Sequence, residues 1–136
     1  MDFPQTDPDK VRVLVVDDDM DTANSAVLVL KFLGFEAVAA YESGAALEQA
    51  RKFRPQAVLL DMAMPYVDGL QLARDLRRLP GLETVMLICV SGYGMEQDRK
   101  RSREAGCAHH FVKPADWQEV TAVLEQLQKA PASACE

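Results

Sequence analysis

No apolar run in this sequence approaches the roughly 20 residues that a membrane-spanning helix needs. Residues 1–7 lack the basic region and apolar core of a signal peptide, so we expect a cytoplasmic protein without a membrane partner. Asp and Glu outnumber Lys and Arg by 21 to 15, and the net charge of −6 argues against a nucleic-acid partner. The three cysteines lack the Cys-x-x-Cys spacing of a metal site, so we predict reduced thiols.

The length and composition are those of one globular domain. A chain of 136 residues can bury a substantial core, and 49% hydrophobic with 26% charged residues is ordinary for such a domain. Residues 1–10 contain two prolines and three aspartates and are predicted to be a flexible arm. The domain is predicted to span residues 11–129, and residues 130–136 are predicted to form a flexible tail.

Five short apolar runs alternate with segments of helical periodicity. The strands are predicted at 11–16, 35–40, 58–60, 85–90 and 109–112. The helices are predicted at 21–33, 43 to near 55, 68–79, 96–105 and after 116, with Ser43 and Asp116 as caps. Every connection is long enough for a crossover helix and no tight hairpin is visible. The pattern therefore predicts an α/β fold, a five-stranded parallel sheet with helices on both faces.

Polar side chains follow the predicted strands at the points where the strands end. Asp61 comes directly after three large apolar residues, Asp17 and Asp18 follow the first strand, Ser91 follows the fourth, and Lys113 follows the fifth. Taken singly, such residues are most often capping acids, turn serines or surface lysines. Because parallel strands end at one edge of a sheet, and ligands of open α/β sheets bind beyond that edge, we expect all five side chains to share one crevice.

The residue types in this crevice suit a magnesium ion and a phosphoryl group. Carboxylates about 4 Å apart repel one another by roughly 4 kcal/mol at an effective dielectric near 20. Mg²⁺ relieves such repulsion, and it usually binds one or two carboxylates together with a phosphate oxygen. Lys113 can neutralise a phosphoryl oxygen and Ser91 can donate to one, as phosphoryl transfer requires. Asp61 can then act as the nucleophile and form an acyl phosphate.

A family resemblance rests on six short segments, four of which contain the residues of this crevice: Val15–Asp19, Leu60–Pro65, Asp68-Gly69, Ser91-Gly92, Ala105-Gly106 and Val112–Pro114. Together they resemble the response regulator receiver domain of two-component signalling, over residues 11 to about 129. The resemblance implies the flavodoxin-like receiver fold, in which the strand order is 2-1-3-4-5. It also implies a phosphorelay module that catalyses only its own phosphorylation and dephosphorylation, not an enzyme acting on other substrates.

The resemblance assigns a role to each site residue. Asp61 is implied as the phosphoacceptor and as a ligand of Mg²⁺. Asp18 is implied as a direct ligand of the metal, Asp17 as a ligand through water, and the backbone carbonyl of Ala63 as a further ligand.

Two further positions are implied to hold and sense the phosphoryl group. Ser91 and Lys113 are implied to bind phosphoryl oxygens. The position three residues before the lysine usually carries Tyr or Phe in this family, as a ring that changes rotamer on phosphorylation. Here it is His110, so Ser91 and His110 are the implied switch residues, and the imidazole introduces a group that titrates near neutral pH.

The implied phosphoryl donor is a histidine kinase or a histidine phosphotransfer protein, and the implied output is a switched surface that binds a downstream protein. Residues 105–114 are similar to receivers fused to hybrid sensor kinases. We therefore expect either a stand-alone receiver or a receiver cut from a longer protein.

Three other functions remain as alternatives. A haloacid-dehalogenase-like phosphatase also uses an aspartyl nucleophile after a buried strand, but it needs a second acid two residues later, where this chain has Ala63. A dinucleotide-binding enzyme would need a glycine-rich first turn, where this chain has Asp17–Asp19. A pseudo-receiver that binds partners without phosphorylation is the third alternative.

Overall fold

A computed structural model describes residues 10–61, 69–91, 100, 103–113 and 115–134, with residues 128–134 described as backbone only. Its strands are Arg12–Val16 (β1), Glu36–Ala40 (β2), Ala57–Asp61 (β3), Met86–Ser91 (β4) and His109–Val112 (β5). Its helices are Met20–Phe32 (α1), Ser43–Phe53 (α2), Gly69–Arg78 (α3) and the C-terminal helix Trp117–Ala134. Most of the arm at 1–10, most of the predicted helix at 96–105, and Ala63 lie outside the described residues.

The five strands form one parallel sheet in the order β2-β1-β3-β4-β5, so the predicted fold and strand order are confirmed. β3 lies at the centre, and all five of its residues are buried. An unbroken apolar sequence is what such a strand requires, because helices cover both faces of a parallel sheet.

Helices cover the sheet on both faces, as predicted. Leu60 and Leu87 point into a core cluster that α2 and α3 complete, whereas Leu59 and Ile88 point into a second cluster completed by α1 and the C-terminal helix. Neighbouring strand residues face opposite sides of the sheet, which explains this division. Burying such an aliphatic side chain contributes roughly 1.5–3 kcal/mol. Among the described residues, no helix is long and apolar enough to cross a bilayer.

The helix starts required two corrections. α1 begins at Met20 rather than at Asp21, because the carboxylate of Asp19 accepts the N–H of Asp21 at 3.1 Å and so caps the helix. Ser43 is the first helical residue of α2 rather than its cap. The cap position belongs to Glu42, whose extended backbone precedes the helix and whose side chain makes no capping bond.

The C-terminal helix begins as predicted and continues further than predicted. The side chain of Asp116 accepts the N–H of Gln118 at 2.9 Å, which confirms Asp116 as the cap. The helix then runs to Ala134, beyond the predicted domain end at residue 129. The predicted end lies before the proline at 131, because proline is the least favourable residue in a helix interior.

The structure pairs two of the three cysteines, so the prediction of reduced thiols is wrong for these two. Cys89 of β4 and Cys107, just before β5, are joined as a disulfide, and their Cα atoms are 6.1 Å apart. The prediction failed because 18 positions separate them in sequence, and only the pairing of β5 with β4 brings them together.

Candidate functional site

One ammonium group joins two buried carboxylates at the carboxyl edge of the sheet. Asp61 is the last residue of β3 and is 6% exposed, and Asp17 directly follows β1 and is 5% exposed. The Nζ of Lys113, just after β5, donates to Asp61 Oδ2 at 3.1 Å and to Asp17 Oδ2 at 3.3 Å. Asp61 and Asp17 lie 52 and 96 positions before Lys113 in the sequence, yet both contact its side chain, as the strand-end prediction requires.

Backbone hydrogen bonds hold these side chains in place. The N–H of Asp17 donates to the carbonyl of Ala40 at 3.1 Å, which extends the β1–β2 ladder by one residue. Asp17 Oδ1 accepts the N–H of Asp19 at 3.0 Å, so this carboxylate is fixed at both oxygens. The N–H of Lys113 donates to the carbonyl of Ser91 at 2.7 Å, which anchors the lysine at the end of β4.

A third acid completes the cluster. Carboxylate oxygens of Asp17, Asp18 and Asp61 all lie within 4.8 Å of one another, and Asp18 is exposed at the mouth of the site. Within the part of the chain that the structure describes, Lys113 is the one cation that contacts these carboxylates, so the cluster keeps an excess of negative charge. Oxygen ligands with excess negative charge are what Mg²⁺ prefers, so the residues present fit this ion.

The pKa values in the cluster are shifted by burial and by charge. Burial raises the pKa of Asp17 and the charge of Asp61 raises it further, against the lowering effects of the Asp19 amide and of Lys113. Burial lowers the pKa of Lys113, but its hydrogen bonds and charge interactions with Asp61 and Asp17 outweigh this, and its pKa is raised. Lys113 therefore stays charged at neutral pH, and ionised Asp17 is favoured by any added cation.

Ser91 and His110 lie within hydrogen-bond distance of each other. Ser91 ends β4 and is 2% exposed, and its Oγ is 3.1 Å from His110 Nε2. The strand pairing explains the contact, because Ser91 is opposite Val112 in the ladder. His110 lies two residues before Val112, so its side chain is on the same side of β5. The two residues implied as a switch are thus in direct contact, whereas Ala63 lies outside the described residues.

A cavity of about 470 Å³ opens beside the carboxylates. Asp17, Asp61 and Lys113 line one part of it, and Val29 of α1 with Trp117 of the C-terminal helix line another. Because Trp117 is the only tryptophan of the chain, its fluorescence can report events at the site.

Asp19 has a role that the strand-end pattern of the sequence does not indicate. Its carboxylate accepts the hydroxyl of Thr22 at 2.8 Å, and this bond, with further bonds from backbone amides, lowers its pKa. Asp19 thus orients the turn that carries Asp17 and Asp18, while taking no place in the cluster itself. An aspartate three residues before a threonine at a helix start is the sequence signal that could have identified it.

Comparison with known proteins shows which family this chain is similar to. Residues 13–125 match the sequence profile of the response regulator receiver domain. The transcriptional regulatory protein PrrA of Mycobacterium tuberculosis is 37% identical over 128 residues, which cover 93% of this chain and 52% of PrrA. The chain therefore spans about half the length of this curated relative.

Solved structures share the fold. A receiver domain protein from Methanospirillum hungatei has a TM-score of 0.78 at 23% identity, with 92% of this chain and 98% of that chain covered. The receiver domain of sensor histidine kinase PA1611 from Pseudomonas aeruginosa has a TM-score of 0.77 at 22% identity, with 88% and 98% covered. That domain was solved with a magnesium ion coordinated in its active site cleft.

Proposed function

Because this chain belongs to the response regulator receiver domain family, we propose that it accepts a phosphoryl group on Asp61 from a phosphohistidine donor. Receiver domains are signalling modules of two-component systems. The observation that carries the proposal for these residues is the position of Lys113, whose ammonium contacts both Asp61 and Asp17 at the end of the central strand.

The transfer needs few groups, and each has a candidate here. A carboxylate oxygen of Asp61 attacks the phosphorus, the bond from phosphorus to the donor imidazole breaks, and the imidazole leaves with its electron pair. Lys113 then moves from the Asp61 carboxylate to an oxygen of the new phosphoryl group, so it keeps an anionic partner. Ser91 donates its hydroxyl to another phosphoryl oxygen.

Mg²⁺ is the proposed cofactor. Asp17, Asp18 and Asp61 would hold it, with the backbone carbonyl of Ala63 as a further ligand, and bound Mg²⁺ would supply charge neutralisation of the phosphoryl oxygens. The oxygen donor set supports this, and so does the raised pKa of Asp17, because a cation offsets both the burial and the Asp61 charge that raise that pKa.

Ser91 and His110 are proposed as the switch. Their contact at 3.1 Å competes with the interaction between Ser91 and a phosphoryl group, so phosphorylation of Asp61 would release His110. A phosphoryl-dependent movement of this edge of the sheet would then change the surface that a downstream protein recognises.

The proposed partners are a histidine kinase or a histidine phosphotransfer protein as donor and a downstream protein as target, in the cytoplasm. For the residues of this chain we propose neither a nucleic-acid nor a membrane partner. A nucleic-acid partner remains an alternative for a longer protein, because PrrA is a transcriptional regulatory protein and the chain matches half of it.

Phosphorylation is tested by incubating the protein with Mg²⁺ and a small acyl phosphate, followed by intact mass spectrometry. We expect one added phosphoryl group on the wild type and on Asp75→Asn, a control acid on α3 that pairs with Arg78. We expect none on Asp61→Asn and none when EDTA removes the metal.

Two outcomes would replace the proposal. A folded protein that binds Mg²⁺ but takes up no phosphoryl group would be a pseudo-receiver. Continuous phosphate release from unrelated phosphate monoesters, lost in Asp61→Asn, would instead identify a phosphatase.

A further inference from the structure

Cys89 and Cys107 form a pair that the phosphorylation chemistry does not use. Cys89 lies in β4 with its side chain fully buried, and Cys107 lies just before β5 and is partly exposed. Their Cα atoms are 6.1 Å apart, within the 4.4–6.8 Å range of protein disulfides, and the structure joins their sulfur atoms.

Contacts that do not involve sulfur hold Cys107 beside β4. The N–H of Ala108 donates to the carbonyl of Leu87 at 2.8 Å, directly after Cys107 in the chain. The guanidinium of Arg77 on α3 donates to the carbonyl of Gly106 at 3.0 Å and to that of Val85 at 3.1 Å. The two cysteines are therefore kept close by the fold itself, whether or not their sulfurs are bonded.

The turn before Cys107 depends on glycine. Gly106 has a φ of +82°, which side chains disfavour, and the Arg77 guanidinium occupies the space where a Cβ at this position would lie. This turn and the arginine fix the direction in which the chain enters β5. The position of Cys107 is therefore determined by the Gly106 turn and by the contacts of Arg77.

The two sulfurs differ in their access to solvent. Cys89 belongs to the core cluster beneath α2 and α3, and Cys107 packs at the edge of that cluster. A small oxidant in solution therefore meets Cys107 first, and the buried Cys89 is in position to react with the product.

We propose that Cys89 and Cys107 form a reversible dithiol–disulfide site that fastens β5 to β4 under oxidising conditions. Hydrogen peroxide transfers one oxygen to the Cys107 sulfur to give a sulfenic acid, its O–O bond breaks, and its other oxygen leaves as water. The Cys89 sulfur then attacks the Cys107 sulfur, the S–O bond breaks, and a second water carries away the hydroxyl with the Cys89 proton. A dithiol reductant returns both cysteines to thiols.

The position of this bond connects it with the phosphorylation site. β5 is the edge strand beside β4 in the described sheet, and it carries His110 and leads into Lys113. Cys89 is opposite His110 in the ladder and precedes Ser91 by two residues. The disulfide thus restrains the strand that bears the proposed switch, although its formation does not require phosphorylation.

The bond is tested on the full chain by peroxide treatment of reduced protein, followed by intact mass and thermal unfolding. We expect a loss of the mass of two hydrogen atoms, reversed by dithiothreitol, and a Cys89–Cys107 crosslink in the peptide map. A closed loop of this length predicts that oxidation raises the unfolding midpoint by roughly 10 °C. Cys135→Ser should retain both effects, and Cys107→Ser and Cys89→Ala should lose both.

The proposal is overturned if peroxide only adds oxygen atoms, if the crosslink involves Cys135, or if oxidation leaves the unfolding midpoint unchanged. The comparison of oxidised and reduced wild type needs no variant, so a misfolded mutant cannot imitate either result. Asp61→Asn should form the crosslink normally, which separates this test from the test of phosphorylation.

Discussion

Replacing Asp17 by asparagine is expected to stabilise the metal-free protein and to weaken its response to Mg²⁺. Asp17 is 5% exposed and shares its surroundings with two other carboxylates and one ammonium. Asparagine is nearly isosteric, and its side-chain oxygen can still accept the N–H of Asp19. The substitution therefore removes one charge while leaving the turn intact.

The expected gain in stability depends on the distances between the charges and on the burial of Asp17. At an effective dielectric near 20, a repulsion over 4.8 Å is about 3.5 kcal/mol, and Asp17 experiences it from both Asp61 and Asp18. The attraction of Lys113 over 3.3 Å is about 5 kcal/mol. Solvent screens the exposed Asp18, so the charge interactions of Asp17 nearly cancel. Burial, the largest cause of the raised pKa of Asp17, then makes removal of the charge favourable, and we expect a gain of about 1–2 kcal/mol in the free energy of unfolding. This corresponds to a midpoint shift of roughly 3–8 °C.

The assay is thermal and urea unfolding of wild type and Asp17→Asn, in EDTA and in excess Mg²⁺, followed by Trp117 fluorescence. In EDTA at pH 7 the variant should be the more stable protein. At Mg²⁺ concentrations 100 times the dissociation constant, the wild type should gain about 2.7 kcal/mol, the variant less, and the order should reverse.

The pH dependence gives an independent check of the sign. Because burial raises the pKa of Asp17 in the folded state, the ionised carboxylate lowers the free energy of unfolding at every pH above that pKa. As pH falls from the raised pKa towards the ordinary value of 3.8, protonation of the folded wild type removes the charge, and the stability advantage of Asp17→Asn should shrink steadily to nothing. An Asp17→Asn protein less stable than wild type in EDTA at pH 7 would refute this reasoning.

Four further substitutions test neighbouring groups. Asp19→Ala should lower the unfolding midpoint in EDTA and Mg²⁺ alike, because α1 loses its cap, and an effect confined to Mg²⁺ would contradict that role. Lys113→Met should slow phosphorylation about 10²-fold. The variant should also be less stable to unfolding than the wild type at neutral pH, and this difference should vanish as pH rises through the raised pKa of Lys113 in the wild type. His110→Phe should speed phosphorylation by about fivefold in stopped-flow fluorescence, because Ser91 loses a hydrogen bond of about 1 kcal/mol; slower uptake would exclude the competition. Ala63→Asn should shorten the lifetime of the aspartyl phosphate by supplying a side chain that orients water, and equal or slower decay by mass spectrometry would disprove this.

The parallel sheet and the acidic cluster were predictable from the sequence for physical reasons, whereas the strand order came from the resemblance to the receiver family. A strand buried on both faces must be an unbroken apolar run, so residues 58–60 could be recognised without knowing their neighbours. Strand ends of a parallel sheet share one edge, so Asp17, Asp61 and Lys113 could be placed together before any coordinates. Local patterns were less reliable at the helix starts. Asp19 and Glu42 occupy the cap positions because backbone geometry, and not residue type alone, decides where a helix begins.

The sequence by itself predicted the parallel α/β fold and the residues that meet at the candidate site, because hydrophobic periodicity and chain order are properties of the chain alone. Only the tertiary structure decided which contacts these residues make: that Lys113 joins two acids, that His110 meets Ser91, and that Cys89 pairs with Cys107. Such contacts depend on ångström-scale distances between side chains far apart in sequence. Burial and charge at those distances, in turn, set the direction of each pKa shift.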